Sequence, residues 1–500
     1  MSGRIFQNPM GRNFFWQSSI LQSVRLLSQK RRRKAYLVGG AIRDFLLGRP
    51  LGRDFDFVIK GDVEGLAKEI SRELGGNAFP LDETFGTWRV ILKKKKKKTE
   101  LDFSPLQGKD IFEDLRQRDF TVNSLAIRLK DLARPGEPCF IDPLDGLVDV
   151  RKRILRANSE ESLHQDPLRM LRAFRFASTL KFSVEEETLK MIHKNSDLIH
   201  QSAGERIRVE FFMALGEEGA GLFLRSLHQA GLLGEIFPEV REWETLNVGT
   251  ASSPSLLDHA LRTLEAAEFI FVHMKDIFSE WADVLKGHLS HSEEEGVSRI
   301  ALLKFIAFFH DSGKVATACQ EKGSISPRFL DHDQEGQEIN MAIARRLKLS
   351  RRSVRIISEL TRQHMRIQSL AKVQELTGRA KYRFFQDLGK EGLDLAILSL
   401  ANALASSGLE LRSPMLAEIS KKTKKIKKIT DDLVRFYTEE FAQKSAKPLV
   451  DGKEIMGTLG IPQGKAVGTL LNKLKEEEIS GRVRTREDAL QFLKNIDKSG

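Results

Sequence analysis

Strand-like patterns stop near residue 150 of this chain. Before that point the short apolar runs Tyr36-Leu37-Val38, Phe55-Asp56-Phe57-Val58-Ile59 and Trp88-Arg89-Val90-Ile91-Leu92 alternate with helix-spaced patterns, which reads as a mixed α and β region. From Arg151 onward apolar residues recur three and four apart. Leu168, Met170, Leu171, Phe174 and Phe176 are one example, and Ile207, Phe211, Phe212 and Leu215 another. A mixed head is therefore expected to lead into a long helical body. At 500 residues the chain exceeds one core, and about 150 residues per domain gives roughly three to four domains.

Charge and composition narrow the function classes. Lys and Arg number 81 against 69 Asp and Glu, a net +12 that points to a polyanionic partner. Two cysteines, Cys139 and Cys319, exclude a disulfide framework and a Cys-rich zinc site. No uncharged apolar run of about 18 residues exists, so no membrane span is expected. A soluble, cytoplasmic protein follows from these features, its oligomeric state left open. Met1–Lys34 holds no Asp or Glu and ends in Lys30-Arg31-Arg32-Arg33-Lys34. That pattern fits a solvated basic arm that helps hold RNA, or alternatively an organelle transit peptide. Two further lysine runs, Lys93–Lys98 and Lys421–Lys428, suggest a hairpin tip and a basic helix or linker suited to phosphate backbone.

The chemistry concentrates in the head. Asp54 and Asp56 stand two apart in a β-prone run, so both carboxylates leave one face while Phe55 and Phe57 leave the other. Two such charges are costly unless a cation joins them, and paired oxygen ligands suit Mg2+. An Asp-x-Asp pair taken singly is more often a strand-end turn. Upstream, Gly39-Gly40 lies between a strand and a helix, where paired glycines let backbone approach a phosphate. A third carboxylate, Asp102, sits in the strand-like Glu100-Leu101-Asp102-Phe103-Ser104. Two metals held by such acids would activate a hydroxyl and stabilise a leaving phosphate oxygen.

Leu37–Ile59, then Asp114-Leu115-Arg116-Gln117-Arg118-Asp119-Phe120-Thr121-Val122-Asn123, then Asp142-Pro143-Leu144-Asp145-Gly146 resemble the bacterial tRNA nucleotidyltransferases. That family also holds bacterial poly(A) polymerase, and its head is similar to the polymerase beta superfamily. The resemblance implies an α+β multidomain protein: a nucleotidyltransferase head of small mixed sheet and helices, followed by an all-α neck, an HD-like body and a tail. The expected bounds are a basic arm over 1–34, head 35–155, neck 156–245, body 246–410 and RNA-binding tail 411–500. The implied reaction moves CMP or AMP from CTP or ATP to the 3′-hydroxyl of tRNA or another RNA, releasing pyrophosphate. By the same resemblance Asp54 and Asp56 bind the catalytic Mg2+, Asp102 is the additional catalytic carboxylate, and Gly39, Gly40, Arg43 and Asp44 shape the phosphate and ribose site. Arg118, Asp119 and Asn123 become ligands of triphosphate and sugar. Read as a helix, Asp119 and Asn123 fall one turn apart on one face.

In His164-Gln165-Asp166-Pro167-Leu168-Arg169-Met170-Leu171-Arg172 the residues Asp166, Arg169 and Arg172 step by three along one helix edge. A carboxylate accepts from the exocyclic amine of C or A, and Arg donates to ring acceptors, whereas U and G place a carbonyl where that amine would be. Spacing alone fits a capping Asp with two surface Arg equally; the resemblance makes it the nucleotide-selecting motif, with Gln165 replacing a common acid. Farther on, His259, His310-Asp311-Ser312-Gly313-Lys314, His332 and His364 resemble the HD phosphohydrolases and suggest a second divalent site for Ni2+ or Mn2+. Asn402 occupies the place where that family has a late Asp, so activity there is in question. The connection from Asp102 to Asp114 is short, which keeps CC-only or A-only addition beside full CCA addition. Poly(A) polymerase and an HD-type phosphohydrolase are the alternatives.

Overall fold

The computed structural model describes residues 14–50, 52–82, 86–94, 97–133, 138–248, 254–319, 327–373, 375–408, 419–442, 449–479 and 482–497. Two compact units divide the chain, one of residues 1–202 with 230–232, the other of 203–229 and 233–500. The division falls inside the span expected for the neck.

The first unit opens with α1 (Phe14–Gln17) and α2 (Ser19–Lys30), followed by β1 (Lys34–Val38), α3 (Gly40–Leu46), β2 (Asp54–Lys60) and α4 (Val63–Leu74). Next come β3 (Asn77–Asp82), β4 (Thr87–Lys94), β5 (Lys97–Pro105), α5 (Ile111–Arg116), β6 (Ala126–Arg128) and β7 (Phe140–Ile141). The seven strands form one mixed sheet in the order β3-β4-β5-β2-β1-β6-β7. β2 is central because its Phe55, Phe57, Val58 and Ile59 can be buried on both sides. One face is apolar at its centre, with Phe57 stacked on Phe103 at 5.0 Å and covered by Leu66 and Ile70 of α4. On the other, Tyr36, Val38, Val58 and Ala126 pack against Ile111 and Leu115 of α5, and this apolar half gives way to acids toward the start of β2.

Residues 19–30 are not a solvated arm. Ser18 caps α2 by accepting the Leu21 N–H, and Leu21 and Val24, three apart, are fully buried against the head. The basic block at residues 30–34 keeps the exposure expected of an arm. The lysine run at 93–98 straddles the β4–β5 hairpin, with Lys93 opposite Lys98 and Lys94 opposite Lys97; the tip itself lies outside the described residues. After α6 (Gly146–Lys152), the unit closes on helices that include α7 (Glu160–Gln165) and α8 (Leu168–Leu180).

The second unit is almost wholly helical. Phe211, Phe237, Phe305 and Phe309 interlock with ring centroids 4.6–5.1 Å apart where the helices Gly204–Gly216 and Arg299–Phe309 meet. Arg299 is buried there and pairs with Asp394, Glu293 and Glu391, while His288 lies 2.9 Å from Asp394. The polar stretch after residue 290 forms a small hairpin, Ser292–Glu294 against Val297–Ser298. The second lysine run opens a helix, Lys421–Phe436, whose Ile426, Ile429 and Leu433 are buried.

Candidate active site

Strand alternation places Asp54 and Asp56 on one sheet face, as their spacing requires. The parallel pairing of β2 with β5 sets Glu100 opposite Asp54 and Asp102 opposite Asp56, so four carboxylates gather at this edge. Asp56 reaches solvent yet is crowded by protein, and its carboxyl is pushed up to about 6. Loss of hydration is the largest cause; Arg118 opposes it, and the charges of Asp102 and Asp54 add to it. Asp54 is raised too, by partial burial first and then by Glu100 and Asp102. The acid pair is thus under electrostatic stress that a cation would relieve.

Asp102 is held differently from its neighbours. Arg89 of β4 donates to both its oxygens, at 2.7 and 2.8 Å, and reaches Glu100 at 2.7 Å. The fork engages both Asp102 oxygens, so in this arrangement Asp102 borders the acid pair as one half of an ion pair. Arg89 could not be found from sequence, because its role arises from the β4–β5 register that places it across from Asp102.

Gly39 closes the strand-to-helix turn at φ +73°, a backbone that favours glycine. A Cβ there would lie 3.3 Å from the Asp56 carboxylate and 3.6 Å from the Arg118 guanidinium. Acid, cation and bare backbone therefore meet at one point. Arg118 is steadied by Asp114 at 3.2 Å, and Asn158 braces the same loop by donating to the carbonyls of Leu115 and Arg118. Arg43 is buried, donating to Asn123 Oδ1 at 2.6 Å and to Asp44 at 2.9 Å; a Cβ on Gly40 would stand 3.4 Å from its guanidinium.

Asp119 and Asn123 do meet, but not on an α-helix. A 3-10 turn at Thr121–Asn123 follows the extended Phe120, and Asn123 Nδ2 donates to Asp119 Oδ1 at 3.0 Å. The other Asp119 oxygen accepts from Arg172 Nε and Nη2 at 3.1 and 2.8 Å. Burial raises the Asp119 carboxyl, but Arg172, Asn123 and the Phe120 N–H outweigh it and hold the group below its ordinary value. Nor do Asp166, Arg169 and Arg172 share one helix edge. Pro167 separates α7 from α8, leaving Asp166 in extended backbone, where its Oδ1 accepts the Leu168 N–H at 3.3 Å. Arg169 donates to the carbonyls of Gln117 and Ser162, and burial lowers its pKa. Phe176, which the periodicity marks only as core, carries Arg43, Arg172 and Arg175 around its ring at 4.1–5.2 Å.

In the second unit the sequence-predicted His/Asp set does assemble. Asp311 Oδ2 lies 3.3 Å from His259 and 3.2 Å from His310, and its Oδ1 lies 3.4 Å from His332 and 3.3 Å from His364, each through Nε2. The Nδ1 atoms of His310, His332 and His364 sit 2.7–2.9 Å from the carbonyls of Ala307, Phe329 and Thr361, which turns each Nε2 inward. His310 Nε2 and Asp311 Oδ1 are buried without a hydrogen bond of good geometry. Burial brings His310 down to about 4, so it is neutral, as a metal ligand must be. The donors fit a divalent ion of the transition series. A cavity of about 410 Å3 opens beside them, walled in part by Lys314, Arg328 and Asn402. Asn402 thus borders the cluster as an uncharged amide, while Asp394, eight residues earlier, is committed to Arg299.

Residues 35–156 match the poly A polymerase head domain, and residues 181–244 match the probable RNA and SrmB-binding site of polymerase A. The A-adding tRNA nucleotidyltransferase of Deinococcus radiodurans is 32% identical over 465 residues, 92% of this chain and 94% of the relative. The CC-adding enzyme of Geobacter sulfurreducens is 30% identical, covering 92% of this chain and 91% of its own length. A solved CCA-adding enzyme in complex with CTP shares the fold at TM-score 0.64 and 20% identity, with 99% of both chains covered. The chain belongs to the tRNA nucleotidyltransferase and poly(A) polymerase family. No described helix is long and apolar enough to cross a membrane.

Proposed function

We propose that this protein adds nucleotides to the 3′ end of tRNA, transferring CMP or AMP from CTP or ATP and releasing pyrophosphate, and that it is a partial adder of CC or of A. The observation that carries the transfer reading is the meeting of Asp56, Arg118 and the bare Gly39 backbone. Relatives named A-adding and CC-adding match over 92–93% of this chain, whereas those named multifunctional CCA proteins match over 63–69%, which favours partial addition.

Asp54 and Asp56 would hold Mg2+, which when bound lowers the pKa of an attacking hydroxyl and offsets phosphate charge. Arg118 offers its cation beside the glycine turn, and the Arg43–Asn123–Asp119–Arg172 chain fixes the floor on which ribose would rest. Asp166 and Arg169 are set by backbone contacts before any base arrives. Among the described residues only Nη1 of Arg169 is engaged, which suits the rest of its fork to a base acceptor. The test is incubation of tRNAs lacking one, two or three terminal residues with labelled CTP and ATP. Incorporation of CMP alone, or of AMP alone onto tRNA ending in CC, supports the reading. Long oligo(A) products on unrelated RNA would replace it with a poly(A) polymerase.

A second reading concerns the helical unit. Its inward-turned imidazoles favour a bound Ni2+ or Mn2+, which metal analysis of the purified protein checks. Asn402 weighs against strong phosphohydrolase turnover there.

A further inference from the structure

At the end of the head sheet away from the acids, five cations converge. Val38 pairs with Asp56 while Lys34 pairs with Lys60, so the length of β1, roughly 13 Å, separates Lys34 from the level of the carboxylates. A cavity of about 370 Å3 opens there between the end of α2 and the β1–β6 pair, and Arg32, Arg33, Lys34, Arg128 and Lys130 line it. No carboxylate is among the described lining residues. Among the described residues Arg32, Arg33, Lys34 and Lys130 form no ion pair, whereas adjacent Arg31 does, with Glu69 at 2.7 Å.

The fold holds this cluster in place. Arg32 adopts φ 52°, and the N–H groups of Arg32 and Arg33 donate to the carbonyls of Gln29 and Ser28 at 2.9 and 2.8 Å, turning helix sharply into strand. The Arg33 guanidinium rests over Gly61, 2.5 Å from where a Cβ would be, so a side chain there would push it aside. Lys34 directly opposes Lys60 across the strands, a like-charge pair that costs stability. Exposed lysines on a flat face need no explanation, but a concave set of cations, four of them in no ion pair among the described residues, calls for an anion. No aromatic ring is among the described lining residues to stack a base, and guanidinium and ammonium groups read phosphate rather than sequence.

We propose that this cavity binds consecutive phosphates of an RNA backbone, a second RNA contact separate from the catalytic edge. That RNA supplies the phosphates rests on the transfer reading above; the phosphate specificity rests on the cavity alone. The test uses the full chain and tRNA without nucleotide or Mg2+, titrated across a salt series. The double variant Arg32→Glu/Lys130→Glu is compared with Arg72→Glu/Lys109→Glu, the same charge change elsewhere on the head. The first should weaken binding about tenfold or more near 0.1 M salt and flatten the slope of log affinity against log salt by about 1.5 to 2. Equal effects in both variants, or none in the first, overturn the proposal. So does thermal stabilisation by free tripolyphosphate that Arg32→Glu/Lys130→Glu abolishes while tRNA affinity stays unchanged, since the cavity would then take a small oligophosphate. A wild-type protein that binds tRNA this way but incorporates no nucleotide would break the transfer reading and leave this one standing.

Discussion

The two acid-bearing sites of this molecule solve the same electrostatic problem in opposite ways. In the head, Asp54 and Asp56 sit at a solvent-reachable sheet edge with their carboxyls raised, Asp102 and Glu100 adding to the repulsion. In the helical unit Asp311 is buried yet held well below the usual carboxylate range. Burial opposes this, but His310, Lys314 and His259 overcome it. The first site is short of positive charge; in the second, Lys314 at 2.6 Å and the surrounding imidazoles answer the acid. An open, under-neutralised pair suits cations that arrive with a triphosphate, whereas a closed ring of imidazoles suits a resident ion.

The strongest test of this contrast is Asp56→Asn. Nucleotide incorporation should fall by on the order of 10^3-fold, about 4 kcal/mol of barrier, while metal content of the helical unit is unchanged. Full incorporation by Asp56→Asn would end the two-site picture. Asp311→Ala should do the converse. Thermal stabilisation by Ni2+ or Mn2+, about 2.7 kcal/mol at a hundredfold excess over Kd, should vanish with incorporation intact. Loss of incorporation instead would mean the sites are not separable.

Gly39→Ala sharpens the geometry rather than the charge. A Cβ at φ +73°, 3.3 Å from the Asp56 carboxylate, should cut kcat/KM for the nucleotide roughly 10- to 100-fold and cost about 1–2 kcal/mol of stability. Kinetics close to wild type would show that the turn is not the cradle.

The smallest effect is one of pH. Because Asp56 is raised from 3.8 to about 6 in the folded chain, its protonated form favours folding. That contribution is complete below pH 3.8 and is lost as pH rises through about 6. Without divalent cation, Asp56→Asn should therefore melt a few degrees above wild type at pH 7.5, the gap closing toward pH 4. Incorporation by the wild type should decline as pH falls through 6, where the carboxylate takes up its proton. A gap that widened on acidification would reverse the assigned sign.

Much of the head was legible in sequence because its signals are local. A period of two puts Asp54 and Asp56 on one face whatever surrounds them, and a glycine pair between strand and helix marks a tight approach. The neck was read less well. A step of three does place Arg169 and Arg172 together on α8, but Asp166 lies outside that helix, in the extended backbone ahead of Pro167. The N-terminal segment was misjudged for another reason: charge density concealed the apolar pair Leu21 and Val24, which folds α2 onto the head.

Residue spacing determined the mixed head, the helical body and the acid pair, and the family resemblance supplied the histidines available to Asp311. Tertiary structure decided which charges are answered and which are left over. Arg89 reaches Asp102 only through a strand register, five His and Asp residues spread over 105 positions meet only because helices pack, and Arg128 joins Arg32 only because β6 pairs with β1. Such neighbours depend on long-range packing, and the energy of a charge depends on its neighbours, so no local pattern can encode it.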